Sequence, residues 1–166
     1  MTLANIPSGT SVFLDANIFV YHFSPHPVFR ADCDQLLDRV EQQDLQGFTS
    51  THVVGECAHR LMMFEAAAVH GWSSSKTKQR LRNQAAAPQR LTQFRAAVDA
   101  ILNSKIEILT IEPSLLLIAA DVSRQSGLLS NDALLVAVMR ANGLTHLASH
   151  DADFDRVPGL ARYGPG

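Results

Sequence analysis

The chain is poor in cysteine: only Cys33 and Cys57 occur among its 166 residues, and they form no C-x-x-C pair. This scarcity excludes a disulfide framework and argues against structural zinc, which needs closely spaced thiolates or imidazoles. A domain of this length buries roughly two-thirds of its unfolded surface and needs neither kind of cross-link to fold. Hydrophobic residues, at 46% of the composition, can supply its core.

Long apolar runs are also missing. The longest, Ala133–Met139, has seven residues, far below the ~20 that a membrane-spanning helix needs. The first fifteen residues carry neither the basic segment nor the apolar segment of a signal peptide. We therefore expect a soluble, cytoplasmic protein with no membrane association.

Acidic residues are absent from one stretch, 66–98, which contains six basic residues. This stretch has a formal charge of +6, so the rest of the chain carries −8 to give the net charge of −2. Such asymmetry favours a polyanionic partner, although a run of charge can also be a solvated helix face. The residues that we expect to contact a nucleic-acid backbone are Lys76, Lys78, Arg80 and Arg82.

Short apolar strands alternate with helices along the chain, which predicts an α/β fold with a mostly parallel sheet. Strands are predicted near 12–14, 47–49, 106–110 and 146–148. Helices are predicted near 16–23, 31–43, 51–70, 73–83, 88–103, 113–127 and 131–142. We expect one domain over residues 1–166, with residues 66–104 forming a basic helical insertion.

Local signals predict where several helices begin and end. Pro25 and Pro27 should end the first helix, Gly71 should end the third, and Ser130 should cap the last. The apolar residues at helical spacing in the third helix should all be buried; they are Val53, Val54, Cys57, Leu61 and Phe64.

Four acids occupy positions that the topology should bring together. Asp15 and Asp151 each follow a predicted strand, Asp132 opens a helix, and Glu56 lies on the third helix. Because the carboxyl ends of parallel strands meet at one edge of a sheet, these side chains should cluster there. Mg²⁺ and Mn²⁺ prefer such hard oxygen ligands, and packed carboxylates repel unless a cation lies among them. The pattern therefore predicts a catalytic Mg²⁺ or Mn²⁺ site.

Further polar residues are predicted to support this site. Asp153 lies two residues after Asp151, would face the same side in extended chain, and is expected to be a supporting or second metal ligand. Candidates for hydrogen bonds that orient the carboxylates are Asn17, Asn131 and Ser149.

Purely structural interpretations of the acids stay open at this point. Asp15 could cap the first helix, and Asp132 could complement a helix dipole. Glu56 could form an i, i+4 ion pair with Arg60.

These acids belong to motifs that follow one another as in a known family. The motifs are a strand ending in D-A-N (15–17), a helical glutamate, N-D-A (131–133), and S-H-D-A-D-F (149–154) before a P-G-L turn. From Val12 to Leu160 the chain resembles PIN-domain ribonucleases, in particular VapC-type toxins. The resemblance implies a three-layer α/β/α fold with four or five short strands. It also implies metal-dependent hydrolysis of single-stranded or loop RNA, a small antitoxin partner and a homodimer.

Three other functions fit parts of the pattern. A phosphatase of the haloacid-dehalogenase type needs D-x-D and a downstream lysine, but Asn17 replaces the second acid and no lysine follows Lys105. A non-catalytic RNA-binding module with this fold would not need all four acids. A metal-independent ribonuclease would use some of the seven histidines, none of which we assign to catalysis, and it would resist chelators.

Overall fold

The computed structural model describes residues 1–24 and 26–166, in which strands and helices alternate as predicted. The strands are β1 (Ser11–Leu14), β2 (Gln46–Ser50), β3 (Glu107–Leu109), β4 (His146–Ala148) and β5 (Ala161–Tyr163). The α-helices are α1 (Ala16–Phe23), α2 (Arg30–Glu41), α3 (Thr51–His70), α4 (Ser74–Asn83), α5 (Gln93–Leu102), α6 (Ser114–Ser126) and α7 (Ser130–Ala141). The α/β class is confirmed.

The five strands form one parallel sheet in the order β3-β2-β1-β4-β5. The chain runs outward from β1 to β2 and β3, and then returns past β1 to β4. Because crossovers are right-handed, these opposite directions place α1–α5 on one face and α6–α7 on the other. The packing agrees, since α3 contacts α1, α4 and α5 whereas α6 packs on α7. The reversal creates a switch point between β1 and β4, where open α/β sheets bind ligands.

The core lies between the sheet and its two helical layers. Val12, Phe13 and Leu14 of β1 are inaccessible to solvent. The apolar run Ala133–Met139 on α7 is buried throughout, which explains why this helix is apolar on all sides rather than on one stripe. Among the described helices, none is both long and apolar enough to cross a membrane.

Helix α3 begins and ends where predicted, but one residue of its predicted buried face is exposed. The Ser50 side chain caps it by accepting from the Val53 N–H, and Gly71 ends it with φ +62°. Phe64, predicted to be buried, is 51% exposed, because it lies at the side of α3 that borders a groove shared with α5. The other four predicted core residues of this helix are buried.

The start of α7 also differs from the prediction. Ser130 is the first helical residue rather than the cap, because the first intrahelical bond joins the Ala133 N–H to the Leu129 carbonyl (2.9 Å). Asp132 consequently lies in the first turn of α7. Pro25, which is predicted to end α1, lies outside the described residues.

The single helix predicted for 88–103 is wrong, because a buried carboxylate interrupts it. Glu65 on α3 is 6% exposed and accepts the backbone N–H groups of Thr92, Gln93 and Phe94 at 2.7, 3.0 and 3.1 Å. These N–H groups have no partner inside α5, and a negative charge is favourable at a helix N-terminus. The helix therefore begins at Gln93, after a short 3-10 turn.

The sequence does not predict strand β5 individually, because this strand has only three residues, with Arg162 in the middle. It pairs in parallel with β4, with Arg162 opposite Leu147. The Arg162 guanidinium donates twice to Asp155 (2.8 and 2.9 Å) and once to the Ser149 carbonyl (3.1 Å). This strand thereby ties the loop between β4 and β5 to the sheet.

Candidate active site

Asp15 is held at the carboxyl end of β1 by both neighbouring elements. Its N–H donates to the Ala148 carbonyl of β4 (3.1 Å), and Oδ1 caps α1 by accepting from the Ala16 N–H (2.6 Å). Oδ2 accepts from the Ser149 hydroxyl (2.7 Å) and from the Asn17 amide. Asp15 therefore caps the first helix, which was one of the two interpretations left open by the sequence. It is also part of a wider hydrogen-bond network.

That network joins the helix after β1 to the loop after β4. The Asn17 amide also donates to the Ser149 hydroxyl (3.0 Å), and its Oδ1 accepts from the His150 N–H (3.1 Å). The Ser149 hydroxyl accepts from the Asp151 N–H as well (3.0 Å). Asn17 and Ser149 are buried, so they tie the Asp15 carboxylate to the backbone of His150 and Asp151.

The Asp15 carboxyl group is harder to ionise than an exposed one. Burial is the main cause and raises its pKa from 3.8 to about 6. The hydrogen bonds from Ser149 and Ala16 lower the pKa, Glu56 raises it, and Arg60 lowers it. The folded protein thus favours a proton or a cation at this position.

The carboxyl group of Asp132 also has a raised pKa. Burial raises its pKa first, and then the charges of Asp151, Glu56 and Asp153 raise it further. Asp132 is therefore within electrostatic reach of the other three acids.

Two of the acids already have cationic partners. Glu56 is 3.7 Å from Arg60, an exposed i, i+4 pair of the kind that contributes under about 1 kcal/mol. Asp153 pairs with Arg156, and its N–H donates to Asp151 Oδ1 (2.8 Å). Glu56 consequently pairs with Arg60 and also raises the pKa values of Asp15 and Asp132.

The donor chemistry at this edge fits a divalent cation, although the ligands are not fully assembled. In residues 1–24 and 26–166, no three His, Cys, Asp or Glu side chains lie close enough to hold a metal ion as they stand. Asp132 is partly exposed and Asp151 is exposed, so both can reorient. A cation among them would lower the raised pKa values of Asp15 and Asp132.

The remaining predicted residues lie outside this network. Asn131 is exposed on α7, and within the described chain it donates no hydrogen bond to the acids. The four basic residues Lys76, Lys78, Arg80 and Arg82 are exposed on α4.

The helical period places the basic residues in two rows. Lys76 and Arg80 form one row and Lys78 and Arg82 form the other, on either side of buried Thr77. The Arg80 guanidinium lies 5.6 Å from the centre of the Trp72 ring.

Sequence reasoning found Arg60 as the i, i+4 partner of Glu56 but missed two other cations near the acids. Arg156 could have been found from its i, i+3 spacing to Asp153. Arg162 had no such signal, because its partners come together only when β5 joins the sheet.

A parallel sheet with acidic side chains at its switch point defines an α/β protein with an acidic site at the carboxyl edge of its sheet. The model of the PIN domain matches residues 12–160, and the chain belongs to the PIN domain family.

Relatives extend this finding over nearly the whole chain. Ribonuclease VapC2 of Methanocaldococcus jannaschii is 25% identical over 146 residues, covering 88% of each chain. Ribonuclease VapC13 of Mycobacterium tuberculosis is 28% identical over 152 residues, covering 91% of this chain and 98% of the relative.

Solved structures share the fold. The Mycobacterium tuberculosis VapC20 toxin, described as cleaving the sarcin-ricin loop, superposes with a TM-score of 0.62 at 19% identity. The match covers 87% of this chain and 93% of that one. VapBC2 from Rickettsia felis, solved with a promoter DNA fragment, gives 0.55 at 19% identity, covering 92% and 97%.

Proposed function

We propose that this chain is a Mg²⁺- or Mn²⁺-dependent endoribonuclease that hydrolyses phosphodiester bonds in single-stranded or loop RNA. The observation that supports the proposal is that Glu56 acts on both Asp15 and Asp132, that Asp151 also acts on Asp132, and that burial raises the pKa values of Asp15 and Asp132. The ribonuclease names of relatives matched over most of the chain support the same activity.

Each residue of the site has a part in this activity. Asp15, Asp132 and Asp151 would supply oxygen ligands to a divalent cation, with Asp153 as a supporting or second ligand. A bound divalent cation supplies the charge that polarises a phosphodiester and acidifies a water molecule. Asn17 and Ser149 keep the Asp15 carboxylate oriented through the bonds described above.

We expect cleavage to require added metal and to leave 5′-phosphate ends. The carboxylates then act with the cation, and no histidine pair or RNA 2′-hydroxyl takes part in the chemistry. The measurement is cleavage of a labelled single-stranded RNA with Mg²⁺, with Mn²⁺, and with excess EDTA, followed by analysis of the product ends. Full activity in EDTA, or 2′,3′-cyclic phosphate ends, would instead support a metal-independent ribonuclease.

The basic rows of α4 are proposed to bind the RNA backbone. Replacing Lys76, Lys78, Arg80 and Arg82 together by Gln should weaken binding to RNAs of all sequences. It should flatten the salt dependence by about one slope unit per lost phosphate contact. Titrations at several salt concentrations measure this slope.

A matched control removes exposed cations outside α4, with Lys105→Gln and Arg124→Gln together. The control should keep the wild-type slope. An equal slope in the α4 variant and the wild type would show that these side chains are only a solvated surface.

We further propose that the chain is the toxin of a toxin–antitoxin pair and forms a homodimer. The antitoxin's tail would lie over the acidic edge, where an arginine could take the cation's place among the carboxylates. The VapBC names of similar structures support such a partner.

An apolar groove supplies a second surface for this partner. The groove has a volume of about 780 Å³, and its lining includes Phe23, His26, Leu61, Phe64 and Ala97. Phe64 in this lining is half exposed, and apolar surface gathered in a groove is typical of a protein-binding site. The ring of His26 stacks on Phe29, which in turn contacts His150 beside the acids. We assign the groove to an apolar helix of the antitoxin, whose basic tail would then reach the acidic edge.

A further inference from the structure

Four aromatic rings are packed together beside the acidic edge. They are Tyr21 at the end of α1, His26 and Phe29 in the segment before α2, and His150 after β4. Ring centres are 4.4 Å apart for Phe29 and His150, 4.5 Å for Tyr21 and His26, and 4.9 Å for the stacked pair His26 and Phe29. We call these residues the aromatic cluster.

The aromatic cluster is joined directly to the candidate active site. Tyr21 lies one helical turn after Asn17 on α1, and the His150 N–H donates to Asn17 Oδ1 (3.1 Å). His150 also immediately precedes Asp151. The rings are therefore adjacent to the position where the acids would hold a phosphate through a cation.

The rings are held in place but are not part of the core. Tyr21 Oη and His150 Nδ1 are 2.9 Å apart, and the Phe29 N–H donates to His26 Nδ1 (3.2 Å). None of the four residues is fully buried, and His150 is exposed. Core phenylalanines such as Phe13 and Phe154 are at most 1% exposed. Packing alone therefore does not account for a fixed and accessible aromatic surface at this position.

We propose that the aromatic cluster is a stacking subsite for one unpaired nucleobase next to the scissile phosphate, with His150 as its outer ring. The proposal rests on the ribonuclease function proposed above. Splayed-out bases of single strands and loops stack on Tyr, Phe and His rings, whereas bases inside a duplex have their faces covered. Stacking accepts any base, so this subsite would select unpaired RNA rather than a sequence.

A double-mutant cycle between the protein and the RNA tests the subsite. The probe is a single-stranded RNA whose cleavage position has been mapped with the wild type, and in which an abasic nucleotide is then placed at each position flanking the cut. One abasic position should lower single-turnover cleavage by the wild type by about 5- to 100-fold. His150→Ala should lose a similar factor on intact RNA but little more on the abasic RNA. His150→Phe, which keeps a ring, should retain the effect of the base.

Strand β4 offers a matched control at its opposite end. His146 is paired with a tyrosine in the same way, since its Nδ1 lies 3.2 Å from Tyr163 Oη. His146→Ala should keep the full wild-type effect of the abasic position. This control shows whether the effect of His150→Ala comes from the subsite or from the loss of any His–Tyr contact.

Different results contradict different proposals. If the wild type cleaves RNA but no abasic position matters, or if the losses from His150→Ala and the abasic position multiply, the stacking subsite is wrong and the ribonuclease function stands. If the wild type cleaves no RNA with Mg²⁺ or Mn²⁺, the proposed function fails and the subsite fails with it.

Discussion

Asp15→Asn should reduce RNA cleavage by roughly a thousandfold, on the order of 4 kcal/mol of activation free energy. Asp15 is the carboxylate that three donors orient at the switch point, and an amide is a poorer ligand for a divalent cation than a carboxylate. Single-turnover rates with saturating Mg²⁺ measure the loss. Asp38→Asn, at an exposed aspartate on α2, is the matched control and should cleave at the wild-type rate. Cleavage by Asp15→Asn at a comparable rate would contradict the assignment of the site.

The same substitution should stabilise the fold when no metal is present. A pKa raised from 3.8 to about 6 corresponds to about 3 kcal/mol of destabilisation at pH 8, where the folded protein must hold the charge. An asparagine avoids this cost but gives up about 1 kcal/mol of hydrogen bonding to the donors around Oδ2. We therefore expect the free energy of unfolding to rise by about 2 kcal/mol at pH 8.

The pH dependence of this gain gives an independent check. At pH values well below 3.8 the proton is bound in both the folded and the unfolded state, so the wild type has no charge penalty. The penalty appears as the pH rises from about 4 through about 6, because the folded pKa lies above the unfolded one. Urea unfolding at pH 4, 6 and 8 should show the stability advantage of Asp15→Asn growing across this window. Added Mg²⁺ should stabilise the wild type more than the variant. A stability advantage of Asp15→Asn that does not vary with pH would mean that the charge of Asp15 does not destabilise the folded wild type.

The parts of the fold that could be predicted depend on neighbours in the sequence. β1 is a buried apolar run that ends at a polar residue, so the pattern alone places Asp15 at the edge of the sheet. The end of α3 at Gly71 likewise needs only a residue that tolerates positive φ. The order of strands and crossovers then brings Asp15 and Asp151 together by topology.

The parts that could not be predicted depend on contacts distant in the sequence. The start of α5 is determined by Glu65, which is 27 residues before its first partner, Thr92. The three residues of β5 have no strand pattern of their own. They form a strand because they pair with the edge of β4. The assignment of metal ligands among the acids, and the supporting role of Asn131, stay predictions.

Expression of the chain should arrest bacterial growth, and Asp15→Asn should not. Uncontrolled cleavage of RNA is the physical cause, so the effect should follow the cleavage rate of each variant. Colony counts after induction, with equal protein levels checked on gels, measure this result. Co-expression of the proposed antitoxin should restore growth.

A variant in the apolar groove should affect antitoxin binding without affecting RNA cleavage. Phe64 is half exposed and lies in the groove rather than at the acids, so Phe64→Lys should weaken antitoxin binding by about 10- to 100-fold while RNA cleavage continues. This variant should therefore stay toxic when the antitoxin is co-expressed, whereas wild-type toxicity is suppressed.

Excess Mg²⁺ should also compete with the antitoxin tail at the wild-type site, because cation and arginine would occupy the same carboxylates. A wild type that is harmless at high expression and elutes as a monomer without a partner would contradict the toxin proposal. The ribonuclease proposal would survive that result, because it depends on the acids at the switch point and not on what covers them.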